Sequence, residues 1–257
     1  MRPHGSINPA ANFIMAEETQ TRDTTKAGAL AALASGAGLA AYAVRGRSSS
    51  VFAPSVYRGV ASRRAVAFTF DDGPSESTPE LLDLLARHNA PATFFQCGMH
   101  ARRLGPIARD VAGAGHEIGN HTDTHPLLLG RSSAFVAAQI GRAQESIEDA
   151  TGIRPRFFRA PYGVRWFGLL DAQAQHGLMG VMWTTIGIDW DLPAPRIAAR
   201  LLRGARNGAI FCLHDGRGAR QGPDIRETLG AVRRVLPILA DKGYHFERVS
   251  EILCPTM

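Results

Sequence analysis

The sequence predicts an α/β fold in which a parallel sheet is covered by helices. Seven short apolar runs alternate with amphipathic stretches from residue 65 onward, and alternation of that kind builds parallel sheets. The most unusual polar residues follow the carboxyl ends of those runs, where open parallel sheets and α/β barrels gather reactive groups. At 257 residues, with 45% hydrophobic and 20% charged, the chain can bury a substantial core. Periodicity alone leaves an open doubly wound sheet and a closed barrel equally compatible. No internal repeat and no second domain is visible.

Taken in order, residues 1–63 form an N-terminal extension and residues 64–257 the main domain. Residues 1–26 are polar and without apolar periodicity. Residues 27–44 carry no charge and hold nine Ala, three Gly and three Leu. Eighteen residues reach the lower limit for spanning a bilayer, but Ala and Gly gain little there. A signal anchor, a signal cleaved after Ala41-Tyr42-Ala43 and an Ala-rich helix lying on the protein all compete. The expected location is the cell envelope or a membrane, with the cytoplasm as the alternative. Ser48-Ser49-Ser50 and Pro54 then read as a linker.

The charge follows the same division. The net +6 and pI near 9.8 invite a nucleic-acid reading. However, residues 1–64 hold 8 basic and 3 acidic side chains, while residues 65–257 hold 21 and 20. The main domain is nearly neutral, so no nucleic-acid partner is expected. Cys97, Cys212 and Cys254 are too scattered for a disulfide framework or a paired-cysteine zinc site. Cys97 and Cys212 lie in apolar runs and read as small buried hydrophobes.

The expected strands are Ala65–Phe70, Ala92–Gln96, His116–Asn120, Arg156–Arg159, Leu178–Thr184, Ala209–Leu213 and Tyr244–Val249. Between them, Ser77 before Thr78-Pro79-Glu80 marks a helix start, and Leu81, Leu82, Leu84 and Leu85 supply its stripe. Ser132 opens a second helix. Asp224 opens a third, carrying Leu229, Val232, Val235 and Leu236.

Chemistry is expected at the strand ends. The first strand runs into Asp71-Asp72-Gly73-Pro74, and adjacent carboxylates leaving a strand point to different sides. One can ligate a metal while the other takes a proton, although the same four residues also make an ordinary turn. The third strand ends in His121-Thr122-Asp123-Thr124-His125-Pro126. Two histidines four apart can converge on one ion, and with a strand-end Asp they complete a three-ligand set that leaves positions open, the catalytic arrangement. Arg159 before Ala160-Pro161-Tyr162-Gly163 could orient a carboxylate. His214, before Asp215-Gly216, could act as a general acid, with Asp189-Trp190 supplying a carboxylate to hold it.

These motifs, in this order, closely resemble the polysaccharide deacetylase (NodB-homology) family, carbohydrate esterase family 4. The runs Ala92-Thr93-Phe94-Phe95 and Gly115-His116-Glu117-Ile118-Gly119-Asn120 share in the resemblance, which covers about residues 64–252. It implies a distorted (β/α) barrel with about seven parallel strands. It further implies a hydrolase acting on carbon–nitrogen bonds other than peptide bonds, which removes N-acetyl groups from amino sugars of a glycan or glycolipid by attack of metal-bound water. Asp72, His121 and His125 then correspond to the ligands of one divalent ion, Zn2+ foremost, with Co2+ or Ni2+ as alternatives. Asp71 corresponds to the general base, Arg159 to the residue that holds it, His214 to the general acid and Asp189 to its partner. Substrate contacts fall to Tyr162, through its backbone N–H, and to Pro161, Trp190 and Leu213.

Three positions depart from the family's pattern. Ile186 stands where an Asp is common and Cys212 where a Leu is common, and both are expected to reshape the acetyl pocket. Asp123 is expected to face solvent, with substrate contact as the alternative. Tyr162, Trp166, Trp183 and Trp190 suggest a sugar-stacking surface, although tryptophans in strands are more often core. An O-acetyl esterase acting on a polysaccharide such as xylan is the alternative enzyme, and a non-catalytic carbohydrate-binding relative the alternative from another class. The expected partners are the N-acetylated carbohydrate and, through residues 27–44, a membrane. No protein partner is inferred.

Overall fold

The computed structural model describes residues 36–254. Residues up to Ala43 and residues from Val44 onward form separate compact units. Of the first, residues 36–43 are helical. The start of the uncharged tract, residues 27–35, lies outside the described residues, as does the polar segment before it. Among the described residues no helix is long and apolar enough to cross a membrane.

Among the described residues the second unit is built on nine strands: β1 (Ser55–Val56), β2 (Ala65–Asp71), β3 (Ala92–Gln96), β4 (Glu117–Asn120), β5 (Phe157–Phe158), β6 (Met179–Val181), β7 (Thr185–Ile186), β8 (Ala209–His214) and β9 (His245–Phe246). The spatial order is β1-β6-β5-β4-β3-β2-β8-β7, with β9 beside the first two residues of β2. Every pairing is parallel. The sheet curls into a half-barrel, and no ladder joins β1 to β7 among the described residues. This is the distorted barrel expected from the resemblance, with the closed alternative set aside.

The core explains why β2 is a continuous apolar run. Both its faces are buried, as in strands covered on both sides. Val66, Phe68 and Phe70 face the outer helices together with Phe94, Phe211 and Leu213. Ala65 and Ala67 face inward with Phe95, Val181 and Ile210. The helix Thr78–Arg87 buries Leu81, Leu82, Leu84 and Leu85 against the outer cluster.

Several boundaries differ from expectation. The single strand expected over 178–184 divides into β6 and β7, with Met182, Trp183 and Thr184 between them. Residues 44–63, assigned from sequence to the extension, contribute β1, which pairs with β6. The buried Arg165 guanidinium donates to the Ser49 carbonyl at 2.6 Å. Ser132 caps its helix through its hydroxyl, which accepts from the Phe135 N–H at 3.2 Å. Ser77 makes no such cap, because its hydroxyl donates across to the Pro223 carbonyl at 3.1 Å. The helix expected from Asp224 begins at Arg226, where Asp224 accepts from the Arg226 N–H.

Candidate metal centre and active site

Parallel register sets the centre of the site. Asp71, the last residue of β2, stands directly opposite His214, the last of β8, and Thr69 opposite Cys212. Side chains alternate along a strand, so Thr69, Asp71, Cys212 and His214 share one face. All but Thr69 line a cleft of about 800 Å³ at the carboxyl ends of the strands. The same alternation turns Leu213 to the opposite face. It is fully buried in the outer core, which corrects its expected place among the substrate contacts. Pro161 is buried in the turn Pro161–Gly163.

Asp72, His121 and His125 converge beside this pair. Asp72 Oδ1 lies 3.2 Å from His121 Nε2 and 3.0 Å from His125 Nε2. The convergence comes from turns: Asp72, Thr122 and His125 all have left-handed backbone, with φ of 72°, 69° and 55°. Such conformations are costly for residues other than glycine and cluster at functional sites. The Thr122 N–H donates to Asn120 Oδ1 at 2.9 Å and the His125 N–H to Thr122 Oγ1 at 3.2 Å, which holds the second turn. Asp72 Oδ2 accepts the Gly218 N–H at 2.8 Å.

The donor set fits a divalent cation. His121 Nδ1 lies 2.8 Å from the Arg159 carbonyl, an oxygen that can only accept, so Nδ1 carries a proton and the metal-binding, neutral form of the ring leaves Nε2 as an acceptor. Nε2 then faces Asp72 Oδ1 as acceptor against acceptor, and that buried oxygen has no hydrogen-bond partner. An ion between them resolves the conflict, and the carbonyl behind His121 is the outer partner metal-binding histidines use.

Two buried partners fix Asp71 and His214 from behind. The Arg159 guanidinium, with no exposed surface, donates to Asp71 Oδ1 at 2.7 Å. It also donates to Thr69 Oγ1 at 2.6 Å, the Val181 carbonyl at 3.1 Å and the Met182 carbonyl at 3.2 Å, and its Cζ lies 4.1 Å from the Phe95 ring centre. Asp71 Oδ2 is left facing the Cys212 thiol at 3.4 Å. On the other side, Asp189 accepts from His214 Nδ1 at 2.8 Å and from the His214 backbone N–H at 2.9 Å. The Thr228 hydroxyl adds a third bond at 2.6 Å. Burial alone would lower the His214 pKa, but Asp189 outweighs it and pushes it up to about 9.

The rim carries two half-exposed aromatics. Tyr162, at φ 59°, sets its ring edge-on to His125 at 4.7 Å. Trp190 does the same to His214 at 5.2 Å. Trp183 lines the cleft beside Ile186 and Cys212, and those two are register partners across β7 and β8. Trp166 instead packs on Phe52 and Phe167, outside the cleft lining. Cys97 and Cys212 are fully buried, as expected, and burial pushes both thiols up.

Asp123 corrects another expectation. It is buried and accepts from Arg102 at 2.7 Å and Arg142 at 3.0 Å, tying the His121–His125 turn to two helices. Sequence reasoning missed Thr69, Thr228 and Gly218 as supports. Thr69 was within reach, since it stands two residues before Asp71 on the same strand face. Asp215 was also missed. Its buried carboxyl accepts the Thr78 hydroxyl at 2.6 Å and occupies the space where a Cβ on Gly73 would fall, so residue 73 must be glycine. Burial raises that carboxyl to about 7.

Comparison with known proteins agrees with this geometry. Residues 58–181 match the family model described as polysaccharide deacetylase. A chitooligosaccharide deacetylase from Bradyrhizobium sp. is 35% identical over 205 residues, spanning 76% of this chain and 94% of the relative. A solved peptidoglycan N-acetylglucosamine deacetylase, bound to an N-hydroxybenzamide compound, superposes with a TM-score of 0.72 at 31% identity, covering 77% of this chain and 91% of the other. A family 4 pseudoenzyme from Bacillus anthracis superposes with a TM-score of 0.71 at 27% identity over 78% of this chain and 69% of its own.

Proposed function

The chain belongs to the polysaccharide deacetylase family, carbohydrate esterase family 4, and from that premise we propose that it hydrolyses the N-acetyl groups of amino sugars in a glycan or glycolipid of chitooligosaccharide or peptidoglycan type. One observation carries the reading. A three-ligand set and two oppositely equipped proton-transfer groups, each held by its own buried partner, face one cleft. The complete set argues against a silent relative of the pseudoenzyme kind.

A divalent ion held by Asp72, His121 and His125 would supply a Lewis acid for the substrate carbonyl and make water more acidic. Zinc suits two imidazoles and one carboxylate with an open position. The chain's own residues do the rest. Arg159 occupies Asp71 Oδ1 and so aims Oδ2 into the cleft, where it takes a proton from attacking water. Asp189 binds His214 Nδ1 and leaves Nε2 to deliver a proton to the departing amine, a poor leaving group without it. The Tyr162 backbone N–H supports the carbonyl oxygen as it gains charge, a role worth about 2.7–4 kcal/mol for one donor in comparable sites. The rings of Tyr162 and Trp190 offer faces to the sugar, and Ile186 and Cys212 bound the acetyl methyl. A peptidoglycan-type substrate favours a location at the cell envelope over the cytoplasm, and residues 27–44 are proposed as a membrane contact, to be checked by fractionating the full chain.

Acetate release from chitooligosaccharides, peptidoglycan fragments and acetylated xylan tests the reaction, after chelation and add-back of zinc, cobalt or nickel. Release from an amino-sugar substrate, restored best by zinc, is expected. Release from xylan alone would replace this reading with O-acetyl esterase activity.

A further inference from the structure

We propose that Asp71, Cys212 and His214 form a second metal site, which takes a thiophilic divalent cation such as cadmium and, once filled, blocks the reaction. One ligand atom from each residue lies within 4.8 Å of the others, and all three residues line the cleft. The set shares no residue with Asp72, His121 and His125.

Asp71 and His214 each keep one donor atom once their buried partners are assigned. Arg159 takes Asp71 Oδ1, leaving Oδ2, which lies 3.4 Å from Cys212 Sγ. Asp189 takes His214 Nδ1, leaving Nε2. The register opposes Asp71 to His214 and places Cys212 two residues earlier on the same face, so the arrangement is part of the ladder. An oxygen, a sulfur and a nitrogen, two of them held from behind, make an oriented half-shell for a tetrahedral ion with one open position. Sulfur decides the preference, because thiolate favours soft cations over hard ones. On binding, the cation–sulfur bond replaces the Cys212 S–H bond, the proton leaves to solvent and no oxidation state changes. Asp71 and His214 are then both engaged and cannot carry protons for hydrolysis. That last consequence rests on the deacetylase reading; occupancy of the site does not.

The test uses zinc-loaded protein carrying Cys254→Ser, which removes the partly exposed thiol. Cadmium chloride is titrated in while the ultraviolet thiolate-to-cadmium absorption is followed, and bound cadmium is counted by equilibrium dialysis. Exchange of cadmium into the histidine–carboxylate site gives no such band, since it contains no sulfur. The band is expected to saturate at one thiolate-bound cadmium per chain and to survive Cys97→Ala. It is expected to vanish in Cys212→Ser, or in Cys212→Ala should the serine variant fold poorly. In His214→Gln the cadmium affinity should fall by about tenfold or more. Absence of the band in the parent, or its persistence without Cys212, overturns the site. A saturating band with acetate release unchanged, each protein judged against its own cadmium-free rate, overturns the block while the deacetylase reading stands.

Discussion

Replacing Arg159 with Met should cost this domain a large share of its stability, and that loss should add only in part to the loss from neutralising Asp71. The Arg159 side chain has no exposed surface and that of Asp71 only 4%. Breaking such a buried pair from one side typically costs about 3–5 kcal/mol, because the remaining charge is left unpaired. The substitution also removes donors from Thr69 Oγ1 and from the Val181 and Met182 carbonyls. Since whole domains are stable by only about 5–15 kcal/mol, the single variant is expected to lie close to its unfolding threshold. Asp71→Asn keeps the shape but leaves the fully buried Arg159 charge unpaired, so it should also cost about 3–5 kcal/mol. With both changes no charge is stranded, and the combined loss should fall short of the sum by about 2 kcal/mol or more, within the range seen for residues in contact. Urea unfolding of all four proteins, followed by circular dichroism in the same metal-loaded state, measures the cycle. Losses that add to within about 0.5 kcal/mol, the behaviour of independent sites, would refute the claim that Arg159 is there for Asp71.

Three further outcomes follow from the site and its supports. Asp189→Asn should move the alkaline limb of the kcat/KM profile down from near pH 9, because it removes the largest influence that opposes burial and raises the His214 pKa and a general acid works only while protonated; an unmoved limb would remove His214 from that role. Burial holds His116 down to about 4 against an ordinary 6.5, so the unfolded chain binds the extra proton and stability is lost as pH falls through that window. The loss should total about 3 kcal/mol, read by urea midpoints, and should flatten in His116→Asn. Chelation should lower the thermal midpoint, since an ion at a hundred times its Kd stabilises by about 2.7 kcal/mol, and Asp72→Ala should erase the difference between chelated and metal-loaded protein.

The site was legible in sequence wherever a strand delivered a residue. Asp71, His121, Arg159 and His214 each end or follow a run whose apolar character marks a strand buried on both faces, and the structure brings all four together. Leu213 shows the limit of reading motifs without their period: with His214 in the cleft, its neighbour has to face the helices. Asp123 was illegible for a different reason, since its partners Arg102 and Arg142 come from helices that meet its turn only in three dimensions. The two-residue strands β1 and β7 have too few residues to show a period. Ser77 has the composition of a cap, but its hydroxyl is claimed by Pro223, far along the chain.

The register of β2 against β8 has a consequence for how the reaction centre tolerates change. Asp71 and His214 are spaced by a backbone ladder that also aligns Phe68 with Phe211 and Phe70 with Leu213. The distance between the two proton carriers is therefore inherited from the packing of the whole core. A slip of one residue would scatter that pair and turn the apolar set inside out in one event. The ligands Asp72 and His125, by contrast, sit on turns that can be re-tuned without touching the ladder. Selection is thus free to vary metal affinity by small steps, while the acid–base geometry is kept or lost together with the fold.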